Sequence, residues 1–312
     1  MRYTLFLQLV VLLSSLLLLT GCGSLRNEIN PDQLGLESAK LVVSGFISPQ
    51  DTVLAVRLTQ SRTVVGDSIS SGLSDGNVTK ATVTLSDGNR TITLRYGSNG
   101  YQYYSAPARQ MRIVAGRTYT LDVVTAEGQR ATATCTIPPP VSLSAVQIDS
   151  LTENNRTRRY FVRATWQDPA GQVNYYQVGG ILRTTSPETY GLNAKPRSYV
   201  YANLNFDDDN RGLFDDATTD GTVFTSGRAY IGNTTLVDGK AVKGFRNQFS
   251  GSILTINLLA VDASYYQYRS AVIRQGRVRG NPFAEPVLIP SNIQGALGCF
   301  AGYNNTSVIL SL

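Results

Sequence analysis

The sequence contains no histidine. This absence excludes Ser-His-Asp and Cys-His catalysis, zinc or haem ligation through imidazole, and an imidazole pH switch. Cysteine is also rare, with three in the chain, which is too few for a cysteine-rich zinc site. Lysine is scarce as well, and none lies in a recognisable serine–lysine motif. We therefore expect no catalysis that depends on these residue types.

Two of the cysteines lie inside apolar or alternating segments. Cys135 is part of the alternating run 130–137, and Cys299 lies between Leu297 and Phe300. An exported protein can form disulfides, so the two thiols could pair. The local pattern favours the other interpretation, in which each cysteine is a small buried apolar residue.

The N-terminus has the pattern of a lipoprotein signal. Arg2 precedes an apolar run over 5–19, which is shorter than a comfortable membrane span. The run ends in Leu19-Thr20-Gly21-Cys22, which is typical of a bacterial lipobox. We predict a signal peptide over 1–21, lipid on Cys22, and a polar tether over 22–39. An ordinary secretory signal with a chance cysteine is the alternative.

After the tether, the composition favours β-structure. Thr, Val, Tyr and Gly are frequent, and short alternating runs are separated by turn residues. Seven such runs over 40–137 predict an immunoglobulin-like β-sandwich. Turns are predicted at 86–89 and 126–129. The predicted strands are 41–47, 52–59, 78–86, 90–96, 101–105, 118–125 and 129–137.

Three consecutive prolines, Pro138 to Pro140, predict a domain boundary because proline lacks an amide donor. We predict a second β-rich, sandwich-like domain over 141–312 with one short helix. Asp262 or Ser264 could cap that helix, and Tyr265, Tyr268, Val272 and Ile273 would share one face. The predicted strands are 143–148, 160–167, 173–182, 197–204, 222–231, 242–249, 252–261, 295–303 and 306–310.

The formal net charge of +6 raises the question of an anionic partner. The basic residues are mostly scattered arginines, and a continuous basic face with stacking aromatics is not apparent. We expect a solvated basic surface and no nucleic-acid binding.

An acidic loop over 207–216 is the sharpest local motif. Asp207, Asp209 and Asp215 occupy the first, third and ninth positions of an EF-like loop, with Gly212 at the turn. Thr218 stands where calcium loops carry a bidentate glutamate. Calcium ligation by these three aspartates is one hypothesis, and a solvated acidic loop is the other. No other cofactor is expected.

Several motifs in the mature chain resemble one family. They are the lipobox, Val43-Ser44-Gly45-Phe46-Ile47-Ser48, the exit 133–138, Trp166-Gln167-Asp168-Pro169 with Asn174-Tyr175-Tyr176, and the block 281–286 followed by 291–300. Together they resemble the domain of unknown function 4249 family of Bacteroidota outer-membrane lipoproteins. The resemblance implies an accessory lipoprotein that accompanies TonB-dependent transporters. It supplies no catalytic residue.

We therefore expect a non-catalytic binding or accessory module, lipid-anchored in the outer membrane through Cys22 and acting with a β-barrel receptor or transporter. A surface polysaccharide-active enzyme that uses carboxylates is the first alternative. An adhesin or stalk is the second. The side of the membrane and the ligand stay open.

Overall fold

The computed structural model describes residues 39–61, 76–97, 101–185, 199–278, 281, 283–285 and 287–312. These residues are mainly β, with two hydrogen-bonded sheets and few helices, which confirms the predicted class. In the described part of the chain, no helix combines the length and the apolar character that crossing a membrane requires.

The first half contains the seven predicted strands. Alternate side chains of all seven meet in a first hydrophobic core. The strands pair in the order β1-β2-β5-β4-β3-β6-β7, and a 3-10 helix, Ala108–Gln110, follows β5. The bounds are β1 Leu41–Ile47, β2 Val53–Gln60, β3 Ala81–Ser86, β4 Thr91–Tyr96, β5 Tyr104–Pro107, β6 Thr118–Thr125 and β7 Arg130–Thr136.

In the second half of the chain, a five-stranded sheet that contains β9 packs against β10 and β16. Trp166, Tyr176 and Leu254 lie in the second core between them, each 0% exposed. The strands are β8 Leu143–Glu153, β9 Thr157–Gln167, β10 Tyr175–Thr185, β11 Tyr199–Asn203, β12 Leu213–Asp215, β13 Val223–Thr225, β14 Ala229–Val237, β15 Lys240–Ala241, β16 Ile253–Val261 and β17 Leu297–Ser311. The helices are α1 Phe245–Phe249 and α2 Ala263–Val278.

The predicted strand over 242–249 is wrong. Residues 245–249 form α1, because Phe245 and Phe249 are four residues apart and therefore share one helical face. Their rings pack on Tyr160 at centroid distances of 5.0 and 5.9 Å. The predicted strand over 222–231 is divided into β13 and the start of β14. β12, inside the acidic loop, was not predicted.

The last strand, β17, connects the two halves of the described structure. It runs parallel to β1 on one side and antiparallel to β16 on the other. The predicted break at Pro138 to Pro140 falls between β7 and β8, where no strand forms. The domain bounds 40–137 and 141–312 stay a prediction, since β17 lies beside strands from both.

The predicted helix is present as α2, although at 16 residues it is not short, and its cap is Asp262, one of the two predicted candidates. Asp262 Oδ1 accepts a hydrogen bond from the Tyr265 amide at 2.8 Å, and its Oδ2 accepts one from the Gly302 amide at 2.9 Å. The second bond joins the start of α2 to β17.

Candidate functional site

The candidate site is the groove between α2 and the sheet face that is turned away from the second core. On β16, Leu254, Ile256 and Leu258 point into that core, so Asn257 and Leu259 point to the opposite face. Two cavities on this face share Leu259 and Arg269. We call their union the α2 groove.

The first cavity, the aromatic end of the groove, has a volume of about 450 Å³. The Phe46 ring meets Tyr265 edge-on at 5.5 Å and lies 6.4 Å from Tyr268. Tyr303 lies 6.5 Å from Tyr265. The lining residues are Ser44, Phe46, Leu259, Tyr265, Tyr268, Arg269 and Tyr303.

The second cavity, the amide end of the groove, has a volume of about 620 Å³. Gly179 on β10 leaves its floor open, because a Cβ added there would meet no atom within 4 Å. The polar side chains are amides and arginines. The lining residues are Gln177 to Ile181, Asn203 to Asn205, Arg211, Asn257, Leu259, Arg269, Val272, Ile273 and Gly276.

Two polar atoms of groove-lining residues are buried without a hydrogen-bond partner in the described structure. They are Gln177 Oε1, an acceptor, and Arg269 Nε, a donor. Gln177 is held in place through its other amide atom, which donates to the carbonyls of Val178 and Arg211 at 3.1 and 3.2 Å. A buried polar atom without a partner costs free energy, but neither atom is exposed to the groove, so a ligand would have to contact other atoms of these two side chains.

The charged residues that line the groove are both basic. Arg211 and Arg269 line it, and no acidic residue is among the lining residues of either end. Burial raises the pKa of Tyr265, while the adjacent Arg269 guanidinium opposes that rise. Tyr303 donates to Asp51 Oδ1 at 2.9 Å, and burial raises the pKa of Tyr303 well above its usual range. The arrangement can bind a ligand with negative charge.

The predicted calcium residues have separate contacts. Asp207 Oδ1 accepts the Arg228 amide, and Asp215 Oδ2 accepts the Tyr266 hydroxyl of α2. Asp209 is exposed. These three carboxylates do not form a close group in the described structure. Calcium ligation by Asp207, Asp209 and Asp215 stays a prediction.

The structure brings together a different set of aspartates. Oxygens of Asp168, Asp216 and Asp220 lie within 4.8 Å of one another. Such oxygens suit hard cations, and this is where the described residues could hold one. The first two are buried, at 2% and 1% exposure, and burial raises the pKa of Asp216.

Hydrogen bonds account for the position of these three carboxylates. The Gly221 amide donates to Asp168 at 2.8 Å, the Asn174 amide donates to both oxygens of Asp216 at 2.9 Å, and the Gly171 amide donates to Asp220 at 3.0 and 3.1 Å. Tyr176 also donates its hydroxyl to Asp168. The cluster therefore joins the turn over 168–174 to the loop over 216–222. The sequence contained both segments, but it carried no signal that they meet.

The remaining predicted residues fall in two groups. Cys22, with the signal and tether, lies outside the described residues. Cys135 and Cys299 are buried and free, as the local pattern favoured. Cys299 lies beneath the start of α2, with Sγ 3.7 Å from the Ser264 carbonyl.

Comparison with known proteins gives a family and no function. Among curated proteins, none matches the chain. One family model, described as a domain of unknown function (DUF4249), matches residues 26–309. Since this match covers nearly the whole sequence, the chain belongs to the DUF4249 family.

Proposed function

We propose that this chain is a lipid-tethered, non-catalytic binding protein that presents a ligand to a β-barrel transporter of the outer membrane. The observation that carries the proposal is the α2 groove. Its two ends, about 450 and 620 Å³, fall within the size range of ligand sites, roughly 300–1,000 Å³.

The chemistry of the groove supports binding. Ligand sites combine aromatic and apolar walls with a few convergent polar groups. Phe46, Tyr265 and Tyr268 supply the wall, and Asn257, Arg211 and Arg269 supply polar groups. The groove rests on a sheet and a capped helix, so its lining side chains, apart from Leu204, Asn205 and Arg211, are held by regular structure.

The predicted anchor supports the place of action. Lipid on Cys22 would hold the folded part near the membrane, and tethering raises the effective concentration of a binding protein near a membrane partner. The family resemblance favours a transporter as that partner.

The test is crosslinking of the intact lipoprotein in its native membrane, followed by purification in mild detergent and identification of the captured proteins. We expect a β-barrel transporter to be enriched. The matched control is Cys22→Ser, which removes the predicted acyl site and should abolish both membrane retention and capture.

Capture of no β-barrel protein in the crosslinked sample would overturn the accessory role. Release of reducing sugar from polysaccharide by the purified protein would replace it with the enzyme alternative.

A further inference from the structure

We infer that the α2 groove binds an acidic oligosaccharide, that is, a short chain of sugar rings carrying carboxylate or sulfate groups. The inference rests on the proposed binding function and names the ligand class of the same site. Charge, hydrogen-bonding capacity and shape each support it.

The charge of the groove selects an anion. Arg269 contributes to both ends, Arg211 contributes to the amide end, and neither end contains an acidic residue. Among the ion pairs of the described residues, none involves either arginine. A guanidinium group pairs with a carboxylate or sulfate through two parallel hydrogen bonds, and such charge-assisted bonds are stronger than neutral ones.

The polar groups of the groove favour a ligand that carries hydroxyl groups. The amide end carries Gln177, Asn203, Asn205 and Asn257, and an amide side chain can both donate and accept. A sugar hydroxyl also donates and accepts, so neighbouring hydroxyls match an amide. A purely anionic ligand would pair with the two arginines and leave these amides without a matching group.

The aromatic end suits the flat, weakly polar face of a sugar ring. Phe46, Tyr265 and Tyr268 contribute rings to this wall, and tyrosine gives rigid contact area with a polar tip. Gly179 leaves room at the other end for a further ring.

The strands beneath the groove argue against an acidic peptide as the ligand. An extended peptide usually binds by adding main-chain hydrogen bonds to a free strand edge. β10, β16 and β17 each pair with strands on both sides. The edge of the described sheet is β11, which contributes Asn203 to the amide end, so a peptide would have to bind there rather than along the floor of the groove. The groove offers side chains, which suits a ligand recognised by its rings, hydroxyls and charges.

The experiment measures binding to the full-length lipoprotein in detergent by calorimetry. The probes are oligogalacturonate, the neutral galactose oligomer of equal length, and oligoglutamate. We expect oligogalacturonate to bind at least about tenfold more tightly than either control, and its binding to weaken as salt is added.

Two variants locate the site. Arg269→Gln should weaken oligogalacturonate binding by about tenfold or more, because it removes the charge shared by both ends. Arg95→Gln makes the same charge change at an exposed position on β4 and should leave affinity unchanged. Gly179→Leu should fill the amide end, which has open space for it, and reduce affinity while the melting temperature stays near the parent value.

The outcomes separate this inference from the proposed function. Equal binding of the neutral oligomer, preference for oligoglutamate, or no binding of any probe would overturn the acidic-sugar assignment. The transporter proposal is decided by the crosslinking result alone. Oligogalacturonate binding without transporter capture would therefore retain the ligand class and overturn the accessory role.

Discussion

At the scale of single residues, burial raises the pKa of several carboxyl groups. Burial raises the pKa of Asp262 to about 6, and it also raises the pKa values of Asp51 and Asp216. The folded state therefore holds these protons more tightly than the unfolded chain. For Asp262, the contribution to stability is complete below the ordinary pKa of 3.8 and is lost as the pH rises through about 6.

Asp262→Asn tests this linkage. Asparagine can still accept the Tyr265 amide and cap α2, but it does not titrate. The parent should lose stability between about pH 4 and pH 6 by up to about 2 kcal/mol more than the variant does. The measurement is the free energy of unfolding in urea at closely spaced pH values.

The control for this prediction is Asp238→Asn, which removes one negative charge from an exposed turn between β14 and β15. In this variant, the free energy of unfolding should depend on pH in the same way as in the parent. Parallel curves for the parent and Asp262→Asn would contradict the assigned role of Asp262.

Local signals predicted the cap of α2 but not the groove. Asp262 precedes a run whose apolar residues share a helical face, and both features lie within a few residues of each other. Gln177 and Arg269 are far apart in sequence, and each reads as an ordinary surface residue. Only the pairing of β10 with β16, and the packing of α2 on that face, brings them to one groove.

At the scale of elements, the entry into β17 depends on Gly298. Its φ of +113° is one that other residues rarely adopt, and a Cβ added there would lie 1.9 Å from the Val43 carbonyl oxygen of β1. Gly298→Ala should therefore force β1 and β17 apart. We expect the free energy of unfolding to fall by about 4 kcal/mol or more.

Gly88 serves as a control that separates backbone strain from the clash with Val43. It also has a positive φ, +88°, in the turn between β3 and β4, but a Cβ there would meet no atom within 4 Å. Gly88→Ala should cost only about 1–2 kcal/mol, from backbone strain alone. Equal losses for both variants in urea unfolding would show that the close approach to Val43 has no effect.

Sequence periodicity predicted strands well where one face is buried. The first seven strands alternate apolar and polar residues, and their bounds agree with the prediction to within a few residues. It failed for α1, inside the predicted strand 242–249, where the phenylalanine spacing of four is helical. The parallel pairing of β1 with β17 joins the two ends of the described chain, and no local pattern specifies such a partner.

At the scale of the whole molecule, β17 makes the two cores dependent on each other. Phe300 belongs to the first core, and Leu310, near the other end of the same strand, packs against the second. If β17 detaches from the first core, it must therefore also detach from the sheet that covers the second core. We expect the two cores to unfold together.

The single tryptophan makes this prediction measurable. Trp166 is 0% exposed in the second core, so its fluorescence reports unfolding there. Phe300→Ala removes a ring from the first core and should cost about 3–5 kcal/mol. If the cores unfold together, the tryptophan transition and the far-ultraviolet dichroism should move to the same lower urea concentration.

Leu254→Ala, a truncation inside the second core, gives the reference shift of the tryptophan signal. The two variants should produce coincident transitions, each displaced in proportion to its own loss of stability, because two-state unfolding reports one free energy through every probe. In Phe300→Ala, the tryptophan transition could stay at the parent midpoint while the dichroism transition moves to a lower urea concentration. That result would show that the second core folds independently of the contacts that β17 makes with the first core.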